Sequence, residues 1–536
     1  MPASPAFADV SAEALNRNLI ERVNVGDMLT RSAELHPQRI AIVDGVRRTT
    51  YAELDAQVTR LGHALLGLGL ARGDVVGVMA RNCQEMLLVY FACARAGLIC
   101  APANLGLRPS EIAWCFRDSR ARVLIAETAL RAHADVVAAE QLPDLEHRFW
   151  IRSAPDDEVP GDTLDALAAR GSDAPLEVYV GDRDAVQLLY TSGTTAQPKG
   201  VLTSHLAVTM AGLAGALALH ADAGYTTLVA LPLFHCAMLN SISIPVLLVG
   251  GKVVLTKGFD VVQAADLFDR EEVHLVVLLP MMYGLLLGDP AMKGRTFGHM
   301  RRAMYAMAPM PEERLHQIHA MFPNADVVLG SGQTEFTPAT CMQRPEHQWS
   351  KSRTWGTASA MTRVGVMDDE GRLLPRGETG ELVYRGPQVM NGYLNQPEAT
   401  AASMRHGWFH SGDVAHIDED GAIWFKDRYK DVIKTGGENV ASIEVERCLM
   451  EHAGVAEAAV VGLPHPRWGE AITGVVVARP GVQVDEEALI AHCRALLAPF
   501  KVPKAVVVVA EFPRTGTGKI QKHMIRKQHA SLYDAR

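Results

Sequence analysis

Residues 190–201 read YTSGTTAQPKGV and directly follow a short apolar stretch, residues 185–189. This order predicts a buried strand that ends in a loop rich in hydroxyl groups. Glycine lets a backbone approach an anion closely, hydroxyl groups donate hydrogen bonds, and Lys199 adds a compact positive charge. No Gly-Lys-Ser/Thr closes the run, so it is not a Walker A loop. The run predicts a cradle for phosphate oxygens, although an ordinary Ser/Thr/Gly turn has the same composition.

The composition is that of a globular protein of enzyme size. Its 536 residues exceed one ordinary core, so two or more domains are expected. The formal net charge of −9 argues against a nucleic-acid partner. Eight cysteines without a Cys-x-x-Cys pair, and an N-terminus without a secretory pattern, predict a cytoplasmic location. The longest apolar stretch, 273–288, contains Pro280 and Gly284 and predicts a buried strand leading into a helix, with no transmembrane segment.

Short β-rich apolar runs alternate with helical patterns through the first four hundred residues, which predicts parallel α/β sheets covered by helices. The predicted strands are 75–79, 121–126, 227–231, 252–255, 274–279 and 326–329, and the predicted helices are 51–68, 84–96, 262–271 and 311–321. After about residue 360, shorter strands and Gly-rich turns predict a small antiparallel β unit. A βα alternation then restarts, with predicted strands 458–462, 472–478 and 505–510. We therefore predict an N-terminal domain of residues 1–427 and a C-terminal domain of residues 428–536.

Four further motifs follow the opening loop in order. GSGQTE (330–335) places a threonine hydroxyl beside a carboxylate after a strand, which suits a phosphate and its Mg²⁺ ion. WFHSGD (408–413) offers an aspartate that can accept hydrogen bonds from two ribose hydroxyls. DRYKDVIKTGGEN (427–439) combines an arginine fork with a tight Gly-Gly passage, and PRTGTGKIQK (513–522) carries a lysine on a Gly-rich loop. Each motif alone is compatible with an ordinary surface loop or turn.

Together, the five motifs resemble the adenylate-forming superfamily of acyl-CoA synthetases, luciferases and peptide-synthetase adenylation domains. The chain looks most like the bacterial fatty-acyl-CoA ligases, from about residue 26 to residue 526. Softer signatures extend the resemblance: TYAELDA, LPLFH, GETGELVYRGPQVMNGYLNQPEAT and LPHPRWGE. The resemblance implies an α/β fold: a large N-terminal domain of two parallel α/β subdomains plus a small β-barrel, and a small mobile α+β C-terminal domain.

The resemblance also implies the reaction. A carboxylic acid reacts with ATP to give acyl-AMP and pyrophosphate, and the thiol of CoA then attacks the acyl-AMP. Two anions must meet in the first step, so fixed cations and Mg²⁺ must cancel their repulsion. The residues implied to bind ATP are Thr191, Ser192, Gly193, Thr194, Thr195, Lys199, Gly330, Gln333, Thr334, Asp413, Arg428, Lys430 and Lys519.

Individual roles follow from the same resemblance. The implied catalytic residues are Lys519, Thr334, Glu335 and Lys199. The implied Mg²⁺ ligands are Glu335 and Thr194. Lys430 falls at the hinge between the domains, and Gly436 and Gly437 line the path of CoA. The implied acyl-binding residues are His235, Ala306, Met307, Ala308 and Pro309.

The chain departs from the family pattern at three places. Ala196 replaces a second glycine of the phosphate loop, and Ser331 replaces an aromatic residue that packs on adenine. The run YAMAP (305–309) replaces Gly-Gly-Ala-Pro, which predicts a narrowed acyl channel that favours medium over very long chains. The neighbouring Met304 and Met310 suit either a soft acyl wall or ordinary core packing.

Other functions stay open at the level of sequence. The acid is an apolar one, with a medium- or long-chain fatty acid as the leading expectation. The alternatives are an aryl or cinnamate-type acid, an amide-forming ligase, or a non-catalytic binding protein of the same fold. His235 stands where amino-acid-activating domains have an aspartate, which disfavours an α-amino acid. A homodimer is one expectation for the assembly.

Overall fold

The computed structural model of the chain describes residues 10–191, 198–306, 310–429, 431–436, 438–514 and 519–533. These residues group into two compact units. The first consists of Met1–Val364 and Tyr384–Phe409, and the second consists of Gly365–Val383 and His410–Arg536. The units alternate along the chain, and the domain boundary after residue 427 stays a prediction.

Strands and helices alternate along most of the chain. The strands are β1 (Ile40–Asp44), β2 (Arg47–Thr50), β3 (Val75–Met79), β4 (Ile99–Pro102), β5 (Val123–Glu127), β6 (His147–Ile151), β7 (Ala185–Thr191), β8 (Lys199–Ser204), β9 (Thr226–Val229), β10 (Lys252–Leu255), β11 (Leu275–Leu278), β12 (Arg302–Tyr305), β13 (Asp326–Gly332), β14 (Ala339–Met342), β15 (Thr357–Ala358), β16 (Arg363–Met367), β17 (Gly380–Arg385), β18 (Gly392–Tyr393), β19 (Met404–Arg405), β20 (Trp408–Ile417), β21 (Ile423–Arg428), β22 (Ile433–Thr435), β23 (Glu438–Val440), β24 (Val455–His465), β25 (Gly469–Ala478) and β26 (Ala505–Val509). The α-helices are α1 (Ala12–Glu21), α2 (Val25–Leu35), α3 (Tyr51–Gly67), α4 (Gln84–Ala96), α5 (Pro109–Asp118), α6 (Arg131–Ala139), α7 (Leu164–Ala168), α8 (His205–Leu219), α9 (Cys236–Met238), α10 (Ile244–Leu248), α11 (Val261–Arg270), α12 (Pro280–Gly288), α13 (Glu312–Met321), α14 (Pro397–Ser403), α15 (Ser442–Glu451), α16 (Glu486–Leu496) and α17 (Lys522–Gln528).

The first unit contains two large sheets with parallel cores. The nine-stranded sheet has the order β15-β14-β13-β12-β11-β9-β10-β1-β2, and its strands from β13 to β1 run parallel. The seven-stranded sheet has the order β18-β8-β7-β4-β3-β5-β6, with β7, β4, β3, β5 and β6 parallel. Parallel strands are buried on both faces and read as continuous apolar runs. The predicted α/β architecture is confirmed.

Local sequence signals determine where helices of the first unit begin and end. Helix α3 begins with a capping box, because the Thr50 side chain accepts from the Glu53 amide and the Glu53 side chain accepts from the Thr50 amide. Helix α4 is almost wholly buried and ends at Gly97, which takes a positive φ of 68°. Arg95, near the end of α4, binds the carboxylate of Asp55 on α3, so an ion pair fixes the two helices together.

The predicted elements match the observed ones closely where the pattern is strong. Strands β3 and β10 and helix α4 have the predicted bounds, and most of the others differ by one to three residues. The apolar stretch 273–288 contains strand β11 followed by helix α12, as predicted. Across the described residues, every helix is too short or too polar to cross a membrane.

Two smaller sheets complete the fold. Residues 363–428 form a five-stranded sheet with the order β16-β17-β20-β19, in which β21 pairs with β20 antiparallel. Another five-stranded sheet belongs to the second unit, with the order β23-β22-β25-β24 and with β26 added parallel to β25. Helices α15 and α16 pack beside this sheet around a core that includes Val445, Leu449 and Leu489. The predicted small β unit and small α+β C-terminal domain are confirmed.

A buried carboxylate joins the two large sheets at the carboxyl ends of their parallel strands. Glu127 ends β5, and its side chain is fully buried. It binds Arg81, which follows β3 of the same sheet, at 2.6 Å, and Lys257, which follows β10 of the other sheet, at 3.0 Å. Burial alone would raise the pKa of the Glu127 carboxyl, but hydrogen bonds from Arg81 and Lys257 outweigh it and lower that pKa to about 2.

We predict that Glu127→Gln lowers the free energy of unfolding by about 3 kcal/mol at pH 7, since one pKa unit corresponds to about 1.4 kcal/mol. The carboxylate stabilises the fold above its unfolded pKa of 4.5, and this contribution disappears as the pH falls toward 2. Urea denaturation from pH 7 to pH 3 measures the difference. Glu398→Gln, at an exposed position of α14, is the matched control. A wild type and a Glu127→Gln variant of equal stability at pH 7 would contradict this account.

Candidate active site

The opening motif occupies the end of a hairpin between β7 and β8. The two strands are antiparallel, and Thr191 lies directly opposite Lys199 in the ladder. The Thr191 hydroxyl lies 3.4 Å from the Lys199 carbonyl oxygen. The predicted phosphate-binding residues Ser192, Gly193, Thr194 and Thr195, and the irregular Ala196, lie outside the described residues. Both ends of the predicted loop are therefore anchored in one sheet.

Tyr393 connects Lys199 with Glu335. Strand β18 pairs with β8, which places Tyr393 opposite Val201. The Lys199 ammonium lies 5.0 Å from the centre of the Tyr393 ring, and the Tyr393 hydroxyl donates to Glu335 Oε1 at 3.0 Å. Burial, and then the Glu335 carboxylate, hold the pKa of the Tyr393 phenol far above its usual value, so it stays a donor. One tyrosine thus brings together the predicted phosphate-binding lysine and the predicted metal-binding carboxylate.

The GSGQTE motif forms the carboxyl end of β13 and the short 3₁₀ turn Thr334–Phe336. Ser331 lies opposite Cys341 of β14, and the Gln333 amide donates to the Pro338 carbonyl at 3.0 Å. The backbone oxygen of Glu335 accepts from the Met390 amide at 2.8 Å. The turn is therefore fixed by the chain that leads to Tyr393.

The Thr334 hydroxyl also contacts the predicted acyl-binding segment. It lies 3.2 Å from the thiol of Cys236, a buried residue at the start of helix α9. His235 caps this helix, since its Nδ1 accepts from the Ala237 amide at 3.2 Å. An acceptor Nδ1 places the proton of a neutral imidazole on Nε2. The residue implied to bind the α-phosphate and the histidine implied to bind the acid are therefore neighbours.

Asn82 holds the segment that carries His235. Its side-chain amide donates to the carbonyl oxygens of Leu231 at 2.9 Å and Thr256 at 3.0 Å, and its oxygen accepts from the Leu233 amide at 2.8 Å. Asn82 follows β3 of the seven-stranded sheet, whereas its partners follow β9 and β10 of the nine-stranded sheet. Sequence reasoning missed this residue, although its place after a parallel strand is where sites form.

The predicted acyl wall is partly described. Met304 and Met310 are both buried in hydrophobic clusters, as the core-packing interpretation predicted. A methyl group on Gly330 would lie only 2.9 Å from the Met304 Cε, so Met304 packs directly on the backbone of the GSGQTE motif. Ala306 is half-buried. Met307, Ala308 and Pro309 lie outside the described residues.

The second unit carries the other predicted ATP-binding residues. Asp413 on β20 lies directly opposite Arg428 on β21, and the Arg428 Nε lies 2.8 Å from the buried Asp413 Oδ1. The antiparallel pairing explains how two residues fifteen positions apart meet. The hinge residue Lys430 lies outside the described residues.

Gly436 and Lys519 are the other predicted residues of this unit that the structure describes. Gly436 lies in the turn between β22 and β23 with a φ of 59°, a backbone conformation that favours glycine. Gly437 lies outside the described residues. Lys519 is exposed, and its neighbour Ile520 pairs with Arg514 in an antiparallel bridge.

A buried polar cluster links strand β21 with helices α15 and α17 of the second unit. The Asp427 carboxylate accepts from the backbone amides of Arg428 and Ser442, and Lys522 binds Glu446 at 2.7 Å and the Ser442 hydroxyl at 2.6 Å. Burial raises the pKa of both carboxyls, Asp427 and Glu446, against the nearby Lys522 charge. Sequence reasoning missed this cluster, because its members come from three separate segments.

Comparisons with known proteins identify the family. Residues 29–394 match the family described as AMP-binding enzyme, and residues 444–519 match the AMP-binding enzyme C-terminal domain. The chain belongs to these AMP-binding, adenylate-forming enzymes. It is an AMP-forming acid–thiol ligase, as the five motifs predicted.

Similar proteins cover nearly the whole chain. A feruloyl-CoA synthase of an Amycolatopsis species is 36% identical over 504 residues, which cover 94% of this chain and 99% of that protein. A long-chain-fatty-acid–CoA ligase of Mycobacterium tuberculosis is 32% identical over 511 residues, covering 95% and 99%. Among solved structures, ATP-bound MatB from Rhodopseudomonas palustris superimposes with a TM-score of 0.86 at 29% identity, covering 95% of this chain and all of that one.

Tyr393→Phe removes the donor to Glu335 and keeps the aromatic ring beside Lys199. We predict that kcat/KM for ATP in pyrophosphate release falls about tenfold, on the scale of one hydrogen bond to a charged group. Tyr225→Phe is the control, since it removes another buried phenol hydroxyl at the amino end of β9. Equal rates in the two variants would contradict the role given to the Tyr393 hydroxyl.

Proposed function

We propose that this ligase activates an apolar carboxylic acid with ATP and then transfers the acyl group to CoA. The observation that carries the proposal is the contact of Tyr393 with both Lys199 and Glu335. This contact brings the Lys199 ammonium and the Glu335 carboxylate to one tyrosine, and Lys199 belongs to the motif whose composition suits phosphate oxygens. The neighbouring contact of Thr334 with the buried Cys236 brings the predicted acyl-binding segment beside the GSGQTE motif.

The residues around Glu335 suit Mg²⁺. This hard cation prefers oxygen ligands, and a carboxylate can coordinate it while one oxygen also accepts from the Tyr393 hydroxyl. Glu335 and the predicted partner Thr194 would hold the ion. Bound there, Mg²⁺ supplies positive charge to the phosphates of ATP.

In the first step, a carboxylate oxygen of the acid attacks the α-phosphorus of ATP, and pyrophosphate leaves. Lys199 is proposed to hold the β- and γ-phosphates, and Thr334 the α-phosphate. Asp413, oriented by Arg428, is proposed to hold the ribose. Lys519 contacts the acid carboxylate and the phosphate, so that its charge offsets the repulsion between the two anions.

In the second step, the thiol of CoA attacks the acyl carbonyl carbon, and AMP leaves. The C-terminal domain is proposed to turn about Lys430 between the steps. Lys519 then leaves the site, and the turn at Gly436 lines the path of the thiol.

The acid is proposed to be apolar, with a medium-chain fatty acid favoured. The buried Cys236 and Met304 near the predicted acyl-binding segment carry no charge, and His235 gives no anion for a substrate ammonium. The replacement of two glycines by Ala306 and Met307 is proposed to narrow the channel. A cinnamate-type acid is the second candidate, because the feruloyl-CoA synthase is 36% identical to this chain.

We predict that octanoate, palmitate and ferulate each give acid-dependent pyrophosphate release, with the highest kcat/KM for octanoate. Phenylalanine is the control acid and should give none. A rate that rises steadily to the longest chains would contradict the narrowed channel, and a clear preference for ferulate would favour the second candidate. No release with any acid would refute the proposed function.

Lys519→Ala separates the two steps. We predict loss of acyl-AMP formation by about a hundredfold or more, since a fixed charge at the reacting centre is removed, with thiolation of supplied acyl-AMP unchanged. Single-turnover assays of each half-reaction measure both. Lys527→Ala, an exposed lysine of helix α17, is the control. Equal loss in both half-reactions would contradict this division of roles.

A further inference from the structure

The LPHPRWGE signature folds against the glycine turn of the second unit. Residues 466–468 connect β24 to β25, and His465 lies opposite Gly469 in that ladder. The Gly436 amide donates to the Trp468 carbonyl at 2.8 Å, and Thr435 pairs with Gly469. The tip of one hairpin therefore packs on the tip of the other.

The Trp468 side chain shapes the turn at Gly436. A methyl group at Gly436 would lie 3.0 Å from the Trp468 Cε3 and 3.4 Å from its Cζ3, so the indole lies directly on the glycine Cα. The Lys434 amide also donates to Glu470 Oε2 at 2.7 Å, which fixes the strand that enters the turn. Only glycine combines this close approach with a φ of 59°.

Two cations hold the indole. The Arg467 guanidinium carbon lies 4.6 Å from the ring centre of Trp468, and the Lys504 Nζ lies 5.2 Å from it. Both distances are those of cation–π contacts. The cluster places positive charge beside the turn, which complements an acceptor that carries phosphates.

We propose that Trp468 is a positioning residue for thiol transfer: its indole, held by Arg467 and Lys504, fixes the turn at Gly436 along which the CoA thiol approaches. The proposal rests on the proposed function, because the turn matters only if the acceptor passes it. The proposal predicts different effects on the two half-reactions. Loss of the indole slows the second half-reaction and leaves the first intact.

The test compares Trp468→Ala, Trp468→Phe and Phe500→Ala in the full-length enzyme. Phe500 is an exposed aromatic of the same unit with the Lys501 ammonium 5.6 Å from its ring centre, so it is a matched control. Acyl-AMP formation is measured without CoA as pyrophosphate release, with hydroxylamine trapping the product. Thiolation is measured with supplied acyl-AMP over a series of CoA concentrations, and hydrogen exchange reads the Gly436 amide.

Trp468→Ala should keep acyl-AMP formation within about twofold and lower kcat/KM for CoA by about tenfold or more, since small displacements of a reactant path cost such factors. The Gly436 amide should exchange faster, and Trp468→Phe should restore most of the thiolation rate. Phe500→Ala should match the wild type in every assay.

Two results would overturn the inference alone: unchanged thiolation in Trp468→Ala, or an equal loss in both half-reactions. A wild type that forms acyl-AMP but never transfers it to CoA would overturn the inference together with the proposed acceptor. A wild type that forms no acyl-AMP would refute the proposed function, and the inference would fall with it.

Discussion

The junction between the two parallel sheets is the constraint on which the first unit depends. Asn82 and Glu127 follow strands of the seven-stranded sheet, and each binds groups that follow strands of the nine-stranded sheet. Carboxyl ends of parallel strands are where ligands bind in such sheets. Because these bonds fix the two carboxyl edges together, loops from both sheets reach the same place. Asn82 holds the segment before His235 there, and the Thr334 hydroxyl of the GSGQTE turn contacts Cys236, which follows His235.

Tyr393 adds a contact between the two large sheets from a third stretch of chain. Strand β18 pairs with β8, which belongs to the hairpin that carries the opening motif. The Tyr393 hydroxyl of β18 donates to Glu335, which follows β13 of the nine-stranded sheet. The phenol stays protonated because burial and a neighbouring carboxylate both oppose its ionisation. Its hydroxyl donates a hydrogen bond to the Glu335 carboxylate, and its ring faces the Lys199 ammonium. One neutral side chain thus contacts both a cation and a carboxylate, through its ring and its hydroxyl.

Much of the fold could be predicted from the sequence, whereas several contacts at the candidate site could not. Continuous apolar runs such as VVGVM predicted strand β3 exactly, because a strand buried on both faces leaves a purely local pattern. The five motifs predicted the family because each is a short local run, and the roles of their residues stay predictions. The contacts of Asn82, Tyr393 and Asp427 were missed because most of their partners are distant in sequence. Met304 was ambiguous in sequence, since a methionine in a core and one in a pocket wall have the same pattern.

The ladder between β7 and β8 ends with Thr191 opposite Lys199. Behind that pair, the buried Leu189 and Val201 lie opposite each other in the same ladder. Lys199 is thus a residue of the sheet, and the place of its ammonium beside Tyr393 follows from this ladder and from the pairing of β18 with β8.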